Sequence, residues 1–250
     1  MKRVDSIEIT VTVGDQSGFR PSPSGGYRAP GAAPLGSVIM TDGAVALWIH
    51  GGGWYSRETN DVSWLERLGL HVVHARFRLS GEALWPAQLD DVRAEARAAR
   101  VAGAPFIVAG DSSGGHLALH LGLRGIDRPG DVDAIMAFEP PVDPLAEDWP
   151  RARAEGNPWD RLLGHVPAPG DAATRDCTVT THVGVGTPVL LLHGLDDTAV
   201  PPTQSLDLAA ALSRAGHRVH TLITDGDHGE LEFTRPDIHE SVRHFLERTV

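Results

Sequence analysis

The sequence predicts an α/β domain in which a mostly parallel sheet carries helices on both faces. Apolar runs of strand length alternate with runs of helical periodicity along most of the chain, as in successive strand–helix units. The clearest unit joins the apolar run Pro105–Ala109 to the helical run His116–Leu123 through the sharp turn Gly110–Gly115. A chain of 250 residues can fold as one α/β domain, so we expect a single domain over residues 1–250.

The N-terminal part of the chain predicts strands separated by an irregular loop. Val4–Val13 places its apolar residues on one face, as in an edge strand. Residues 14–36 are rich in glycine, proline and serine and lack periodicity, so they predict a loop. Leu35–Met40 predicts a short second strand, and the apolar run Ala44–Ile49 predicts a buried parallel strand.

Strands and helices then alternate to the end of the chain, with one irregular interruption. Residues 142–185 are broken by prolines, and an insertion of this kind between sheet strands commonly forms a cap over a pocket. We therefore expect a short cap insertion at residues 142–185. The predicted helices are Asp61–Leu68, Pro86–Val101, His116–Leu123, Pro201–Ala215 and Asp237–Leu246, and the predicted strands are Leu70–Phe77, Pro105–Ala109, Val132–Phe138, Thr187–Leu192 and His217–Ile223.

Composition excludes several partners and cofactors. The net charge of −11, without basic clusters, argues against nucleic acid, whose phosphates require groups of basic side chains. Lys2 is the only lysine, which excludes a lysine-bearing phosphate loop and an internal Schiff base to pyridoxal phosphate. No glycine-rich dinucleotide motif follows a predicted strand, so we expect no cofactor.

The same composition predicts a cytoplasmic location and no membrane partner. No apolar stretch approaches the roughly twenty residues of a membrane span, and none follows Lys2 and Arg3 as in a signal peptide. Cys177 is the only cysteine, so an intrachain disulfide cannot form and the thiol is expected to be inert. The oligomeric state is left open.

The turn Gly110–Gly115 contains the pentapeptide G-x-S-x-G with Ser112 at its centre. Between a strand and a helix, this motif places the serine at the tip of a strained turn, above a helix N-terminus that favours developing negative charge. The flanking glycines are needed because a Cβ would collide with the neighbouring strand and helix. The alternative is an ordinary glycine- and serine-rich loop, since the pentapeptide arises easily by chance.

A second motif, His50-Gly51-Gly52-Gly53-Trp54, follows the strand predicted at Ala44–Ile49. Consecutive glycines leave backbone N–H groups unobstructed, as in an oxyanion hole, whose donors lie about 3 Å from the developing charge. A flexible turn is the alternative. The position of the motif, one strand and helix before the serine turn, favours the oxyanion hole.

Three loops that follow predicted strands carry a serine, an acid and a histidine in this order. Ser112 is followed by the neighbouring Asp196 and Asp197 and then by His228. Because the carboxyl ends of parallel strands share one edge of a sheet, these side chains can meet despite their separation in sequence. A serine hydroxyl needs an adjacent base, histidine serves near neutral pH, and an acid fixes the histidine tautomer.

These motifs, in this order, resemble the α/β-hydrolase esterases that carry an HGGG oxyanion motif. That group includes the hormone-sensitive-lipase-like carboxylesterases. The likeness is closer to small esterases and formamidases with HGGxW and G-x-S-x-G, of the feruloyl and acetylxylan esterase and kynurenine formamidase type. Arg78-Leu79-Ser80 and the run Trp85–Asp91 also resemble them. The resemblance extends from Val45 to the C-terminus and implies the α/β-hydrolase fold with a short cap.

The resemblance also implies the roles of individual site residues. The family pattern H-G-x-x-D-x-x-V-P falls on His193–Pro201 and makes Asp197 the acid. The pattern D-x-x-H-G falls on Asp225–Gly229 and makes His228 the catalytic histidine beside the nucleophile Ser112. The residues implied for the oxyanion hole are Gly52, Gly53 and the backbone N–H of Ser113.

Together these residues predict a serine hydrolase that cleaves a carboxylic ester of a small acyl group through an acyl-enzyme. An arylformamidase is the nearest alternative. A biosynthetic cyclase, dehydratase or acyltransferase that reuses the triad is another, and a non-catalytic binding domain is a third. The expected partner is a small-molecule ester or amide. No metal is expected, because the remaining histidines and acids lack the spacing of metal ligands.

Three tryptophans are the candidate substrate-binding residues. Trp54 lies beside the oxyanion glycines, and Trp149 and Trp159 lie in the predicted cap. Flat aromatic walls suit a small acyl group joined to a planar leaving group.

Overall fold

The computed structural model describes residues 8–11, 43–184, 186–229 and 235–250. The loop predicted for residues 14–36 and the strand predicted for Leu35–Met40 lie outside these residues. Within the described part, the expected architecture is confirmed: a parallel sheet carries helices on both faces.

Seven strands form a single sheet in the described part of the chain. They are β1 (Glu8–Val11), β2 (Val45–Ile49), β3 (His71–His74), β4 (Phe106–Asp111), β5 (Ala134–Phe138), β6 (Val189–Gly194) and β7 (Val219–Thr224). Their order is β1-β7-β6-β5-β4-β2-β3, and every neighbouring pair is parallel. β1 lies at one edge, as predicted, and β4, β5 and β6 are buried along their whole length, as continuous apolar runs require.

Helices cover both faces of this sheet. They are α1 (Ser63–Arg67), α2 (Ala87–Ala99), α3 (Ser113–Arg124), α4 (Pro158–Leu163), α5 (Ala172–Cys177), α6 (Thr203–Arg214) and α7 (Pro236–Glu247). Leu47 of β2 belongs to an apolar core shared with α2, α3 and α6. Its neighbour Trp48 belongs to a second core shared with α1 and α7, because successive strand residues point to opposite faces. Among the described helices, none has the length and apolar character needed to cross a membrane.

Most predicted elements that lie among the described residues differ from the observed ones by one or two residues at an end, and two differ by three residues. The strand predicted at Leu70–Phe77 is limited to β3, because β3 is an edge strand that pairs only with Val45–Trp48 of β2. The helix predicted from His116 begins earlier, at Ser113, because the backbone N–H of His116 already donates to the carbonyl of Ser112 and closes the first turn. Both differences depend on backbone hydrogen bonds, between strands for β3 and in the first helical turn for α3, which the apolar pattern does not predict.

Residues 142–184 lie between β5 and β6 and contain only short helical elements. They include α4, α5 and two 3₁₀ turns, Pro150–Arg153 and Val179–His182. The side chains of Asn157 and Asp171 cap α4 and α5 by accepting hydrogen bonds from backbone N–H groups in the first turn. Capping therefore stabilises the first turns of these two short helices.

The carbonyl of Cys177 joins this segment to α3. It accepts hydrogen bonds from the imidazole Nε2 of His116 and of His120, at 2.8 and 2.9 Å. The Cys177 thiol is buried, and burial raises its pKa, so it carries little of the thiolate that nucleophilic chemistry needs.

Candidate active site

Ser112 lies at the tip of the turn between β4 and α3, in a strained backbone conformation. Its φ is +49°, a left-handed value that a non-glycine residue rarely adopts. The turn requires glycine on both sides, because a Cβ at Gly110 would overlap the carbonyl of Gly114 and one at Gly114 would overlap the carbonyl of Ile49. The strain fixes the direction of the Ser112 side chain at the N-terminus of α3.

The structure brings Ser112, Asp197 and His228 together from three separate loops. The Ser112 hydroxyl lies 3.0 Å from Nε2 of His228, in position to donate a hydrogen bond. On the other side of the ring, Nδ1 of His228 lies 2.7 Å from Oδ2 of Asp197. These contacts form a continuous chain from carboxylate to imidazole to hydroxyl. Asp196, the other predicted candidate, is exposed and takes no part in this chain.

The carboxylate of Asp197 is held from several directions. Its Oδ1 accepts hydrogen bonds from the backbone N–H groups of Ala199 and Val200, at 2.9 and 2.8 Å. Burial alone would raise the pKa of Asp197, but hydrogen bonds from His193 and His228 outweigh burial and lower the pKa well below its usual range. Asp197 is therefore ionised at neutral pH.

The pKa of His228 is shifted upward, opposite to the pKa of Asp197. Burial lowers the pKa of its imidazole, but the hydrogen bond and negative charge of Asp197 outweigh burial and raise the pKa to about 9. The backbone N–H of His228 donates to Asp227, whose carboxylate also accepts from the backbone N–H of Thr198. Asp227 therefore ties the loop that carries the histidine to the loop that carries the acid.

The segment from His50 to Trp54 forms a tight turn next to Ser112. Gly52 and Gly53 have φ values of +109° and +59°, which glycine adopts readily. The carbonyl of Gly52 accepts hydrogen bonds from the backbone N–H groups of Tyr55 and Ser56, which hold the turn closed. Gly52, Gly53 and Ser113 all line the cavity in front of Ser112.

This cavity has a volume of about 330 Å³, at the small end of ligand pockets. The three predicted tryptophans, Trp54, Trp149 and Trp159, all line it together with Ser112 and His228. The rings of Trp54 and Trp159 pack on each other with centroids 4.6 Å apart, and each residue is only 1% exposed. Little of either ring is therefore left exposed as an open aromatic wall.

Sequence reasoning missed two buried residues at this site. His193, at the end of β6, lies with its Nε2 3.2 Å from Oδ2 of Asp197. Glu139 directly follows β5 and lies with its Oε2 3.6 Å from Nδ1 of His228. The only signal for Glu139 was a carboxylate directly after a predicted strand, since no motif contains it.

Metal-ligand spacing occurs at one place among the described residues. Ligand atoms of Glu139, Asp197 and His228 all lie within 4.8 Å of one another. The hydrogen bond between Asp197 and His228 accounts for most of this proximity. The acids Asp225 and Asp227, in the loop before His228, are engaged by Arg235 and by Thr198 respectively.

The parallel sheet with helices on both faces is the α/β-hydrolase fold, and three solved structures of similar fold carry names of esterases or ester hydrolases. A truncated form of a carbohydrate esterase from gut microbiota is 22% identical, with a TM-score of 0.72 over 83% of this chain and 86% of that chain. An acetyl ester-xyloside bifunctional hydrolase from Caldicellulosiruptor lactoaceticus is 23% identical, with a TM-score of 0.68 over 83% and 84%. The propionate-bound esterase Est2 from Thermogutta terrifontis is 20% identical, with a TM-score of 0.59 over 84% and 82%.

A family model described as BD-FAE matches residues 39–212. The chain belongs to the BD-FAE family, a carboxylesterase-type family of α/β-hydrolases, and is an esterase-type hydrolase. A search of curated proteins returned no significant match.

Proposed function

We propose that the chain hydrolyses carboxylic esters of small acyl groups with Ser112 as nucleophile, His228 as general base and acid, and Asp197 as the acid partner. The observation that carries this proposal is the chain of contacts from Asp197 through His228 to Ser112, at 2.7 and 3.0 Å. His228 removes the hydroxyl proton as Ser112 attacks the ester carbonyl. It then returns that proton to the departing alcohol, which leaves an acyl-enzyme.

In the second half of the reaction, His228 takes a proton from water, which attacks the acyl-enzyme and releases the acid. Asp197 holds the imidazole in one tautomer and stabilises the imidazolium that forms in both halves. The ionised state of Asp197 suits this role, because a neutral acid would not stabilise the positive ring.

The backbone N–H groups of Gly52, Gly53 and Ser113 are proposed as the oxyanion hole. All three residues line the cavity beside Ser112, and Ser113 is the first residue of α3, whose first N–H groups have no partner within the helix. Donors of this kind are fixed before the reaction and stabilise the tetrahedral oxyanion without reorganisation.

The insertion expected at residues 142–185 is proposed as the cap of a single domain, since Trp149 and Trp159 contribute to the cavity wall from this segment. A cavity of about 330 Å³ has room for a short acyl chain and part of a leaving group. The propionate-bound esterase among the structural neighbours agrees with a short acyl group.

Active-site labelling combined with substrate turnover tests the proposal. A fluorophosphonate should label Ser112, as located by mass spectrometry of the modified peptide, and nitrophenyl acetate should be hydrolysed. Turnover of aryl formamides but not of esters would instead support an arylformamidase. Labelling without turnover of either class would support a transferase or cyclase, and absence of labelling would contradict a serine hydrolase.

A further inference from the structure

Glu139 occupies the junction between the three loops that carry Ser112, Asp197 and His228. Its own backbone N–H donates to the carbonyl of Leu192 in β6, at 2.7 Å. The carbonyl of the preceding residue, Phe138, accepts from the backbone N–H of Ser112, at 2.8 Å. Glu139 is thus fixed between the nucleophile turn and the strand that leads to Asp197.

The backbone of Glu139 is held in an unusual conformation. Its φ is +48°, which places Glu139 with Ser112 and Trp54 as the only non-glycine residues of positive φ in the described chain. Such a conformation is costly and persists where the surrounding structure imposes it. In Glu139 this conformation occurs beside the two backbone hydrogen bonds and accompanies a side chain turned toward the histidine loop.

The carboxyl group of Glu139 is fully buried and reaches that loop. Its Oε2 accepts a hydrogen bond from the backbone N–H of Gly229, at 2.7 Å, and lies 3.6 Å from Nδ1 of His228. Its Oε1 is buried and has no hydrogen-bond partner among the described residues. A buried carboxyl with half of its hydrogen bonds unmade destabilises a fold, so packing alone does not explain this residue.

We propose that Glu139 is a positioning residue for His228, which it holds through the Gly229 N–H while presenting a second carboxyl beside Nδ1. The inference rests on the proposed role of His228 as general base. Asp197 fixes one ring nitrogen, and Glu139 fixes the backbone that carries the ring. With both constraints, Nε2 stays within reach of the Ser112 hydroxyl through both halves of the reaction.

The ionisation of Glu139 depends on all the groups that face it. These groups are His228, Asp111 at the end of β4, and Asp197. Burial raises the pKa of Glu139 to about 8, and the two aspartates add to the increase, whereas the Gly229 N–H and His228 oppose it. The raised pKa favours the neutral acid, and in either ionisation state the side chain can accept the Gly229 N–H. When ionised, it is a second negative charge that favours protonation of His228.

Two substitutions of similar size separate these effects. Glu139→Gln keeps an acceptor for the Gly229 N–H and removes the charge, whereas Glu139→Met keeps the length and removes both. We expect Glu139→Met to lower kcat by about 10- to 100-fold with KM within about twofold, because misplacing a base affects the transition state more than substrate binding. Glu139→Gln should keep kcat at neutral pH within about threefold, since it preserves the hydrogen bond.

The pH profile supplies a second readout that a purely structural role would not change. In Glu139→Gln, the midpoint of the acid limb of kcat/KM should move to lower pH by about half a unit, because the nearby negative charge is lost. If Glu139→Met does not fold, as judged by its thermal melting transition, this shift in the folded Glu139→Gln variant decides the question.

Four outcomes would overturn the inference: full kcat in a folded Glu139→Met variant, a loss confined to KM, equal losses in both variants, or an unmoved pH midpoint in Glu139→Gln. Labelling of wild-type Ser112 by a fluorophosphonate separates this failure from failure of the proposed function. If wild-type Ser112 reacts and the Glu139 variants match it throughout, only the role of Glu139 is wrong. If wild-type Ser112 does not react, the proposed function is wrong and the role of Glu139 fails with it.

Discussion

The carboxylate of Asp197 lies 2.7 Å from Nδ1 of His228, whereas the carboxylate of the adjacent Asp196 faces solvent. We expect Asp197→Asn to lower kcat by about 10³- to 10⁴-fold, because asparagine no longer holds the imidazole in the productive tautomer. Asp196→Asn is the matched control and should change kcat by no more than about twofold. Steady-state kinetics on nitrophenyl acetate measures both, and equal losses in two folded variants would contradict the assignment of Asp197.

The neighbouring serines Ser112 and Ser113 provide a second matched pair. Ser112→Ala removes the proposed nucleophile and should abolish both hydrolysis and fluorophosphonate labelling. Ser113 contributes only its backbone N–H to the proposed oxyanion hole, and its buried hydroxyl has no hydrogen-bond partner among the described residues. Ser113→Ala should therefore keep most of the activity. An inactive Ser113→Ala beside an active Ser112→Ala would show that the turn was misassigned.

Ser112, Asp197 and His228 could be selected from the sequence because each follows a strand of a parallel sheet and each matches a short motif. Glu139 also follows a strand, but no motif marks it. Its position beside His228 depends on β5 lying between β4 and β6, and the apolar pattern of the sequence does not predict the order of strands in a sheet.

The tryptophans show the same limit of prediction from the sequence. Sequence placed Trp54 and Trp159 near the site but could not show that their rings pack against each other at 4.6 Å. Periodicity predicts which segments are strands and helices. It does not predict which side chains meet across the loops, because those contacts are set by tertiary packing.

The pH dependence of catalysis should reflect the shifted histidine. The hydrogen bond and charge of Asp197 outweigh burial and raise the pKa of His228 to about 9. Only the neutral imidazole can accept the Ser112 proton, so kcat/KM should fall as the pH decreases through this pKa. We expect the midpoint of this acid limb above the ordinary value of 6.5. A profile from about pH 5 to about pH 10 with a midpoint at or below that value would contradict the environment described for His228.

The stability of the turn that carries Ser112 should depend on Gly114. A Cβ at this position would overlap the backbone carbonyl of Ile49, which cannot move without displacing β2. We expect Gly114→Ala to lower the free energy of unfolding by about 3 kcal/mol, at the upper end of the usual cost of overpacking. Gly81 is the control, because a Cβ there meets no atom within 4 Å. Urea unfolding of both variants measures the difference, and equal stabilities would show that the turn can relax.

The size of the acyl group accepted is the last testable property of the cavity. Its volume is about 330 Å³, and the packed side chains of Trp54 and Trp159 line it. Each additional methylene stabilises a bound acyl chain by about 0.8 kcal/mol only where apolar surface is available to bury it. Beyond that length, extra carbons strain the complex or remain in water, and the transition state gains nothing. We therefore expect kcat/KM for nitrophenyl esters to be greatest for acetate to butyrate and to fall towards octanoate and decanoate. Replacing Trp159 with alanine should enlarge the cavity and move this optimum to longer chains if the variant folds. A wild-type optimum at eight carbons or more would contradict a small acyl pocket and would indicate a longer apolar channel.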